Sequence, residues 1–289
     1  VIFIISSTKG NIDLLYTNPN DIPYERVYLG ESAQIICDYF KNPNKPVIVS
    51  NACISGACAQ YTACRLLETK KYKYAVVIGA EIQSKFIVSG FQSFKALSLK
   101  ACRPFDKERD GLNVGEAAGT MIFQYKEENE ITSSEWILDK GAIRNDANHI
   151  SGPSRTGEGS YRALKEITTD LDINQLAVIN IHGTATPYND EMESIAITRA
   201  GLSNIPVNGF KGYYGHTMGA AGVIETILSQ ISLDNNVILQ TKGFKNLGVT
   251  NNLNVTDKCI ETNKKQFIKL LSGFGGCNIA LLYKTGGQF

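Results

Sequence analysis

Cys53 lies where a side chain can do chemistry. Before it, Val47-Ile48-Val49 is a β-branched apolar run after Pro46, the pattern of a buried strand; after it, Ile54, Ala57, Cys58, Tyr61 and Cys64 recur at helical spacing. The thiol therefore falls on a strand-to-helix turn. Ala52, Ser55, Gly56, Ala57 and Ala59 keep that turn small, so other backbone can approach, and the free N–H groups of the helix start face whatever Cys53 holds. This position is expected to favour the thiolate, which is the nucleophilic form of cysteine. Two of the three histidines stand in comparable surroundings. His182 ends the apolar run Ala177-Val178-Ile179-Asn180-Ile181 and opens His182-Gly183-Thr184-Ala185-Thr186, while His216 follows Lys211-Gly212-Tyr213-Tyr214-Gly215 and precedes a small-residue helical run. Taken singly, each is an ordinary core residue. Together, cysteine and histidine are the minimum for an activated sulfur nucleophile, and a second histidine can stabilise a developing enolate or oxyanion. His149 lies in a polar loop with Asn148 and Ser151 and is expected to face solvent.

The elements that must position these groups alternate along the chain. Strand-like runs at 1–6, 46–50, 74–80, 119–125, 177–182, 267–272 and 278–283 are separated by helix-like runs at 31–40, 54–69, 158–170, 190–200 and 217–233. The alternation predicts α/β layers. The polar stretch Lys126–Ser134 is the expected boundary between two halves, 1–130 with Cys53 and 131–289 with both histidines. Each half then delivers a reactive side chain to the start of a helix. Near the end, Gly273-Phe274-Gly275-Gly276 joins two strand-like runs. A phosphate cradle wants a helix after such a loop, so these glycines instead suggest backbone N–H groups brought close to a reacting carbonyl, with Phe274 as an apolar wall.

Composition narrows the function classes. With 289 residues and 43% hydrophobic content the chain can bury a large core, and a formal net charge of +1 argues against a nucleic-acid binder. Seven cysteines without paired CxxC spacing indicate neither a disulfide framework nor a metal site and fit a reducing cytoplasm. The opening Val1-Ile2-Phe3-Ile4-Ile5 is too short for a signal segment, and no apolar run approaches a membrane span. The first residue is Val rather than Met, so part of the natural N-terminus is expected to be missing.

Five motifs occur together: Asn51-Ala52-Cys53; the run from Arg103 to Gly111 with Gly115-Glu116-Ala117-Ala118-Gly119; His182-Gly183-Thr184 with Asp190 and Glu193; Lys211 with Gly215-His216; and Gly273-Phe274-Gly275-Gly276. In order and spacing they resemble the β-ketoacyl-acyl-carrier-protein synthases, from near residue 1 to the C-terminus. The pair of histidines resembles the two-histidine ketosynthases rather than type III synthases or thiolases. The resemblance implies an α/β thiolase-like fold of two related halves in five αβαβα layers, here with a shortened N-terminal part. It also implies a decarboxylative Claisen condensation, in which Cys53 takes an acyl group from acyl carrier protein and the enolate of malonyl-carrier protein attacks it. No metal or organic cofactor is implied; the implied partners are acyl carrier protein and a second copy or another ketosynthase in a dimer.

Within that resemblance, Cys53, His182 and His216 are the catalytic residues, and the backbone N–H groups of Cys53 and Phe274 form the oxyanion hole. Lys211 and Glu225 support the histidines from behind, as a pair, because buried charges are tolerated when paired. Thr184 and Thr186 match positions that hydrogen-bond the pantetheine arm, and Phe91 and Phe274 match walls of the acyl pocket. Lys95 matches a basic position near the carrier dock, Asp110 and Glu116 are expected to be structural, and Cys277, where the family has threonine, is expected to pack. The family's first core strand and the long segment after it have no counterpart before Val1. The alternative of a different class is a chain-length-factor-like, non-catalytic partner, which the presence of Cys53 disfavours; a thiolase would instead cleave acetoacetyl-CoA without a carrier.

Overall fold

In the computed structural model, which describes residues 1–17 and 22–288, two sheets enclose a central pair of helices. The first sheet has the order β2-β1-β3-β4 and is built from Ile2–Ser6 (β1), Val47–Val49 (β2), Tyr74–Glu81 (β3) and Ala117–Gln124 (β4). β1 is parallel to both of its neighbours and β4 is antiparallel to β3. The second sheet has the order β5-β11-β10-β6-β7, from Trp136–Asn145 (β5), Val178–Asn180 (β6), Val207–Asn208 (β7), Gln266–Gly273 (β10) and Cys277–Thr285 (β11). β6 is parallel to β7 and β10, whereas β11 runs antiparallel between β10 and β5. Val237–Ile238 (β8) and Ile260–Glu261 (β9) form a separate ribbon.

The helices are Leu14–Thr17 (α1), Leu29–Tyr39 (α2), Ser55–Glu68 (α3), Lys85–Ser93 (α4), Glu158–Ile167 (α5), Pro187–Arg199 (α6), Lys211–Tyr214 (α7) and Ala221–Asp234 (α8). α3 and α8 pack on each other and on both sheets, α5 and α6 cover the second sheet, and α2 lies against β2. This is the five-layer, thiolase-like arrangement. Burial explains the strand composition. β10 and β11 are buried on both faces and are nearly continuous apolar runs, with Phe267, Leu271 and Leu281 packed toward Ile54 and Ala57 of the α3 end and Ile268, Leu270 and Leu282 packed toward Leu164 and Ile197 of α5 and α6. Against the first sheet, Ala59, Ala63 and Leu67 of α3 and Val223 of α8 pack on Ile2, Ile4, Ala75 and Val77.

Close approach of the central helices depends on glycine. A Cβ on Gly56 would lie 2.9 Å from the carbonyl oxygen of Gly219 and 2.9 Å from the nitrogen of Val223, so only hydrogen fits there. Gln60 ties the crossing by donating to the carbonyls of Gly56 and Gly222 at 3.0 and 2.9 Å.

Several elements differ from those expected. The helical run at 217–233 is interrupted, because Met218 is left-handed at φ +46° and a 3₁₀ turn over Met218–Ala220 precedes α8. The run at 158–170 stops at Ile167, and Asp170 turns left-handed at φ +61°. β5 and α4 were not anticipated; β5 mixes Asp139, Lys140 and Gly141 among its apolar residues, and α4 is a nine-residue helix that buries only Phe91.

Candidate active site

β2 ends at Val49, and the chain then turns sharply through Ala52, which is held left-handed at φ +44°. For a residue with a Cβ this conformation is costly and persists only where surroundings impose it. Here the hydroxyl of Ser55 imposes it, accepting the Asn51 N–H at 2.7 Å and donating to the Ala52 carbonyl at 2.6 Å. Cys53 follows, 6% exposed, immediately before α3. From the other side, Gly273 at the end of β10 comes so close that a Cβ there would lie 3.3 Å from the Cys53 nitrogen. The backbone N–H of the next residue, Phe274, is near enough to the Cys53 sulfur to favour its ionised form.

His182 leaves the end of β6 through a loop with left-handed Gly183 and Ala185. The loop is pinned from α6: Glu193 accepts the N–H of His182 at 2.6 Å and of Gly183 at 2.9 Å, and Asp190 accepts the N–H of Ala185 at 3.2 Å and of Phe105 at 2.8 Å. Burial raises both carboxyls, Asp190 to about 6 and Glu193 to about 7, against the hydrogen bonds that lower them. His216 is fixed through its backbone, which pairs with Asn113 and Gly115, and its Nδ1 accepts the Met218 N–H at 3.2 Å. That bond leaves Nε2 to carry the proton, and among the described residues Nε2 is buried without a partner. The Nδ1 of His182 is likewise buried and unpartnered.

The three reactive groups converge. The Cys53 sulfur and a ring nitrogen of each histidine all lie within 4.8 Å of one another, and the imidazole centroids are 5.1 Å apart at 84°. Beneath them, Lys211 Nζ donates to the His182 carbonyl at 2.5 Å and to Glu225 Oε1 at 2.7 Å. Neither charged side chain has any exposure. Burial, with the nearby Lys211 and Lys269 ammoniums adding to it, holds both histidines well below their ordinary range, so they are neutral imidazoles at neutral pH.

Electrostatics at the sulfur run against one expectation. Burial pushes the Cys53 thiol up to about 12, and the Lys211 charge and the Phe274 N–H offset only part of this. Loss of hydration is the largest influence on the sulfur, and its direction is toward the thiol, against the thiolate that the local sequence suggested.

A cavity of about 670 Å³ opens above the three groups. It is lined by Cys53, Phe91, His182, Thr184, Thr186, His216 and Phe274, while Lys211 and Glu225 lie behind it. Thr184 and Thr186 share a hydroxyl–hydroxyl hydrogen bond of 2.9 Å. The Phe274 ring sits between Phe91 at 5.6 Å and Phe94 at 5.3 Å. Lys95 also lines the cavity, and so does His149, which is exposed as expected but stands at the rim. Glu116 accepts the Gln83 N–H at 2.6 Å, Asp110 accepts the Ser98 hydroxyl at 2.5 Å, and the Cys277 thiol donates to the Phe274 carbonyl at 3.2 Å.

Sequence reading missed Lys269, Phe94 and the side chains joining the glycine-rich loop to α5. Lys269 is buried beside Lys211 with Nζ 2.5 Å from Glu225 Oε2. Its signal was one lysine inside an otherwise apolar strand, Phe267-Ile268-Lys269-Leu270-Leu271. Ser160 and Ser272 both donate to the Asn278 side-chain carbonyl, at 2.8 and 2.7 Å, and nothing in their spacing announced it.

Comparison with known proteins agrees along the chain. A family model for the N-terminal domain of β-ketoacyl synthases matches residues 40–129, and one for the C-terminal domain matches 137–245. The 3-oxoacyl-[acyl-carrier-protein] synthase 2 of Rhizobium meliloti is 31% identical over 97% of this chain and 72% of its own length. That of Vibrio cholerae is 31% identical over 84% of this chain, which spans 63% of the relative, and the mitochondrial enzyme of Arabidopsis thaliana is 30% identical, with 57% of its length spanned. A β-ketoacyl synthase structure from Burkholderia phymatum superposes with a TM-score of 0.88 at 25% identity, covering 98% of this chain and 75% of that one. A ketosynthase from Xenorhabdus doucetiae, solved in complex with its chain length factor, superposes at 0.86 with 24% identity over 98% and 74% of the two chains, a likeness of fold.

Proposed function

Since the chain belongs to the β-ketoacyl synthase family, we propose that it is an acyltransferase, a 3-oxoacyl-[acyl-carrier-protein] synthase of fatty-acid, polyene or polyketide synthesis. The observation that carries this reading is the convergence of the Cys53 sulfur and both imidazoles within 4.8 Å at the floor of one cavity.

In the first half-reaction the Cys53 thiol passes its proton to the ring nitrogen of His182 that faces it as sulfur attacks the acyl thioester. The oxyanion lies between the backbone N–H groups of Cys53 and Phe274, each donor being worth about 3–4 kcal/mol. Collapse expels the pantetheine thiolate, which takes the proton back, and the acyl group is left on sulfur. In the second, the carboxylate of malonyl-carrier protein leaves as carbon dioxide. Its electron pair forms an enolate, whose oxygen accepts hydrogen bonds from the neutral imidazoles of His216 and His182. The enolate carbon attacks the Cys53 thioester, the C–S bond breaks, and sulfur regains a proton from solution. Lys211, itself paired with Glu225, holds the His182 carbonyl throughout. Thr184 and Thr186 bind the pantetheine arm, and Phe91 and Phe274 wall the acyl chain.

The partners in this reading are acyl-loaded and malonyl-loaded acyl carrier protein, with neither metal nor organic cofactor. A dimer, with a second copy or with another ketosynthase chain, is supported by β2, an edge strand whose three residues are only half-buried. The division into 1–130 and 131–289 is supported by each sheet drawing its strands from one side of it. A cytoplasmic setting is supported by seven free cysteines. Among the described residues no helix is long and apolar enough to cross a membrane.

The test is intact-protein mass after incubation with short-chain acyl-carrier protein, wild type beside Cys53→Ala. An acyl-sized gain in the wild type alone is expected. No gain in either overturns the reading in favour of a non-catalytic, chain-length-factor-like subunit.

A further inference from the structure

Lys269 is a second buried ammonium where one would complete the ion pair. Its Nζ lies 2.5 Å from Glu225 Oε2, donates to Asn180 Oδ1 at 2.6 Å, and reaches the Ile181 carbonyl at 3.2 Å. Lys211 takes the other oxygen of Glu225 and the next carbonyl, that of His182. One carboxylate thus anchors two ammoniums, and these hold two consecutive carbonyls of the segment that delivers the His182 imidazole. Burying an ammonium is expensive, and Lys211 with Glu225 would already balance. The added charge is placed under the imidazoles by a strand, β10, that also supplies Gly273 and Phe274 on the other side of Cys53.

We propose that Lys269 is a positioning residue: together with Lys211 it clamps Glu225 and the Ile181 and His182 carbonyls, fixing the His182 turn and keeping both imidazoles uncharged as hydrogen-bond donors. The catalytic consequence rests on the proposed condensation; the clamp does not. The ionisable groups around the imidazoles are Lys211 of α7, Lys269 of β10, Glu225 of α8, Glu193 and Asp190 of α6, and Cys53 ahead of α3. Removing Lys269 deletes one positive charge from that set. The sign follows: the imidazoles then protonate at higher pH than in the wild type.

With only three histidines, the clamp can be read without substrate. Protein labelled with carbon-13 at histidine Cε1 is titrated by NMR between about pH 4 and pH 9 as wild type, Lys269→Met and Lys269→Gln. The signals of His182 and His216 are expected to move in both variants, protonating about one pH unit or more above the wild type, while the signal of exposed His149 stays the same. Gln keeps a donor for Asn180 without the charge and serves if Met does not fold. Acylation of Cys53 and decarboxylation of malonyl-carrier protein are both expected to fall, by about tenfold or more, because both steps use the His182 imidazole that the clamp positions. Superimposable histidine titrations in wild type and variants would overturn the proposal. A wild type that carries out neither reaction would defeat the proposed function, and the titration alone would then decide on Lys269.

Discussion

A Cβ on Gly222 would stand 2.3 Å from the backbone nitrogen of Ala57. That contact sets how close α8 comes to α3, and with it the distance between the turn before α8, which carries His216, and the turn before α3, which carries Cys53. Gly222→Ala must therefore push the two helices apart, since both sides of the contact are backbone. Overpacking of this kind costs about 1–3 kcal/mol, or roughly 2–10 °C in thermal midpoint for a chain of this size. Gly30→Ala in α2 is the control: its Cβ meets nothing within 4 Å, and it should be neutral or stabilise by about 0.5–1 kcal/mol. Equal midpoints for the two variants would show that the helix crossing tolerates a methyl group.

The buried thiol makes a kinetic prediction. With Cys53 pushed up to about 12, its alkylation by iodoacetamide should be slow at neutral pH and should climb about tenfold per pH unit without levelling off below pH 10. A plateau near pH 8 would mean that the start of α3 and Lys211 outweigh burial after all. Cys53→Ala, in a turn built of small residues, should keep the wild-type thermal midpoint within a few degrees while losing all acylation.

How far the site could be read from the chain depended on whether the relevant physics was local. The turn that carries Cys53 was legible because strand period, helix period and small residues meet there. Asp190 and Glu193 were legible through the motif, although their use, accepting the backbone N–H groups of the His182 loop, needed the fold. The thiol's ionisation was not legible. The start of a helix is visible in sequence, but burial comes from Gly273 and Phe274, more than two hundred residues away. Lys269 escaped for the same reason, because its partner Glu225 sits on another element and only the incongruity of a lysine in an apolar strand marked it. α4, nine residues that bury only Phe91, also escaped.

The tautomers separate the histidines. His216 has Nδ1 occupied by the Met218 N–H, so it can donate through Nε2 but has no free nitrogen to accept with, whereas Nδ1 of His182 has no partner among the described residues and a ring nitrogen of His182 lies within 4.8 Å of the sulfur. His216→Ala should leave Cys53 acylation within about tenfold of wild type and lower malonyl decarboxylation by about 10²–10⁴. His182→Ala should lower both steps by about 10² or more. Pre-steady-state mass measurements of acylation, beside carbon dioxide release, give the two rates separately. The reverse assignment, acylation lost in His216→Ala alone, would show that His216 is the base.

Glu193 ties catalysis to pH-dependent stability. Burial raises its carboxyl from the ordinary value to about 7 even while it accepts two backbone N–H groups. A carboxyl whose folded-state value lies above its unfolded one stabilises the fold fully below the unfolded value, and that contribution is lost as pH rises through the folded value. The window here runs from about pH 4.5 to about pH 7. Glu193→Gln does not titrate, so the stability difference between wild type and variant reports this group together with its interaction with the buried Asp190 carboxyl. The wild-type advantage should be largest near pH 5 and shrink by about 1–3 kcal/mol by pH 8, read as converging thermal midpoints. A gap that instead widens with pH would mean that the two N–H donors, rather than burial, control Glu193, and that the His182 loop is held by a carboxylate ionised throughout the neutral range.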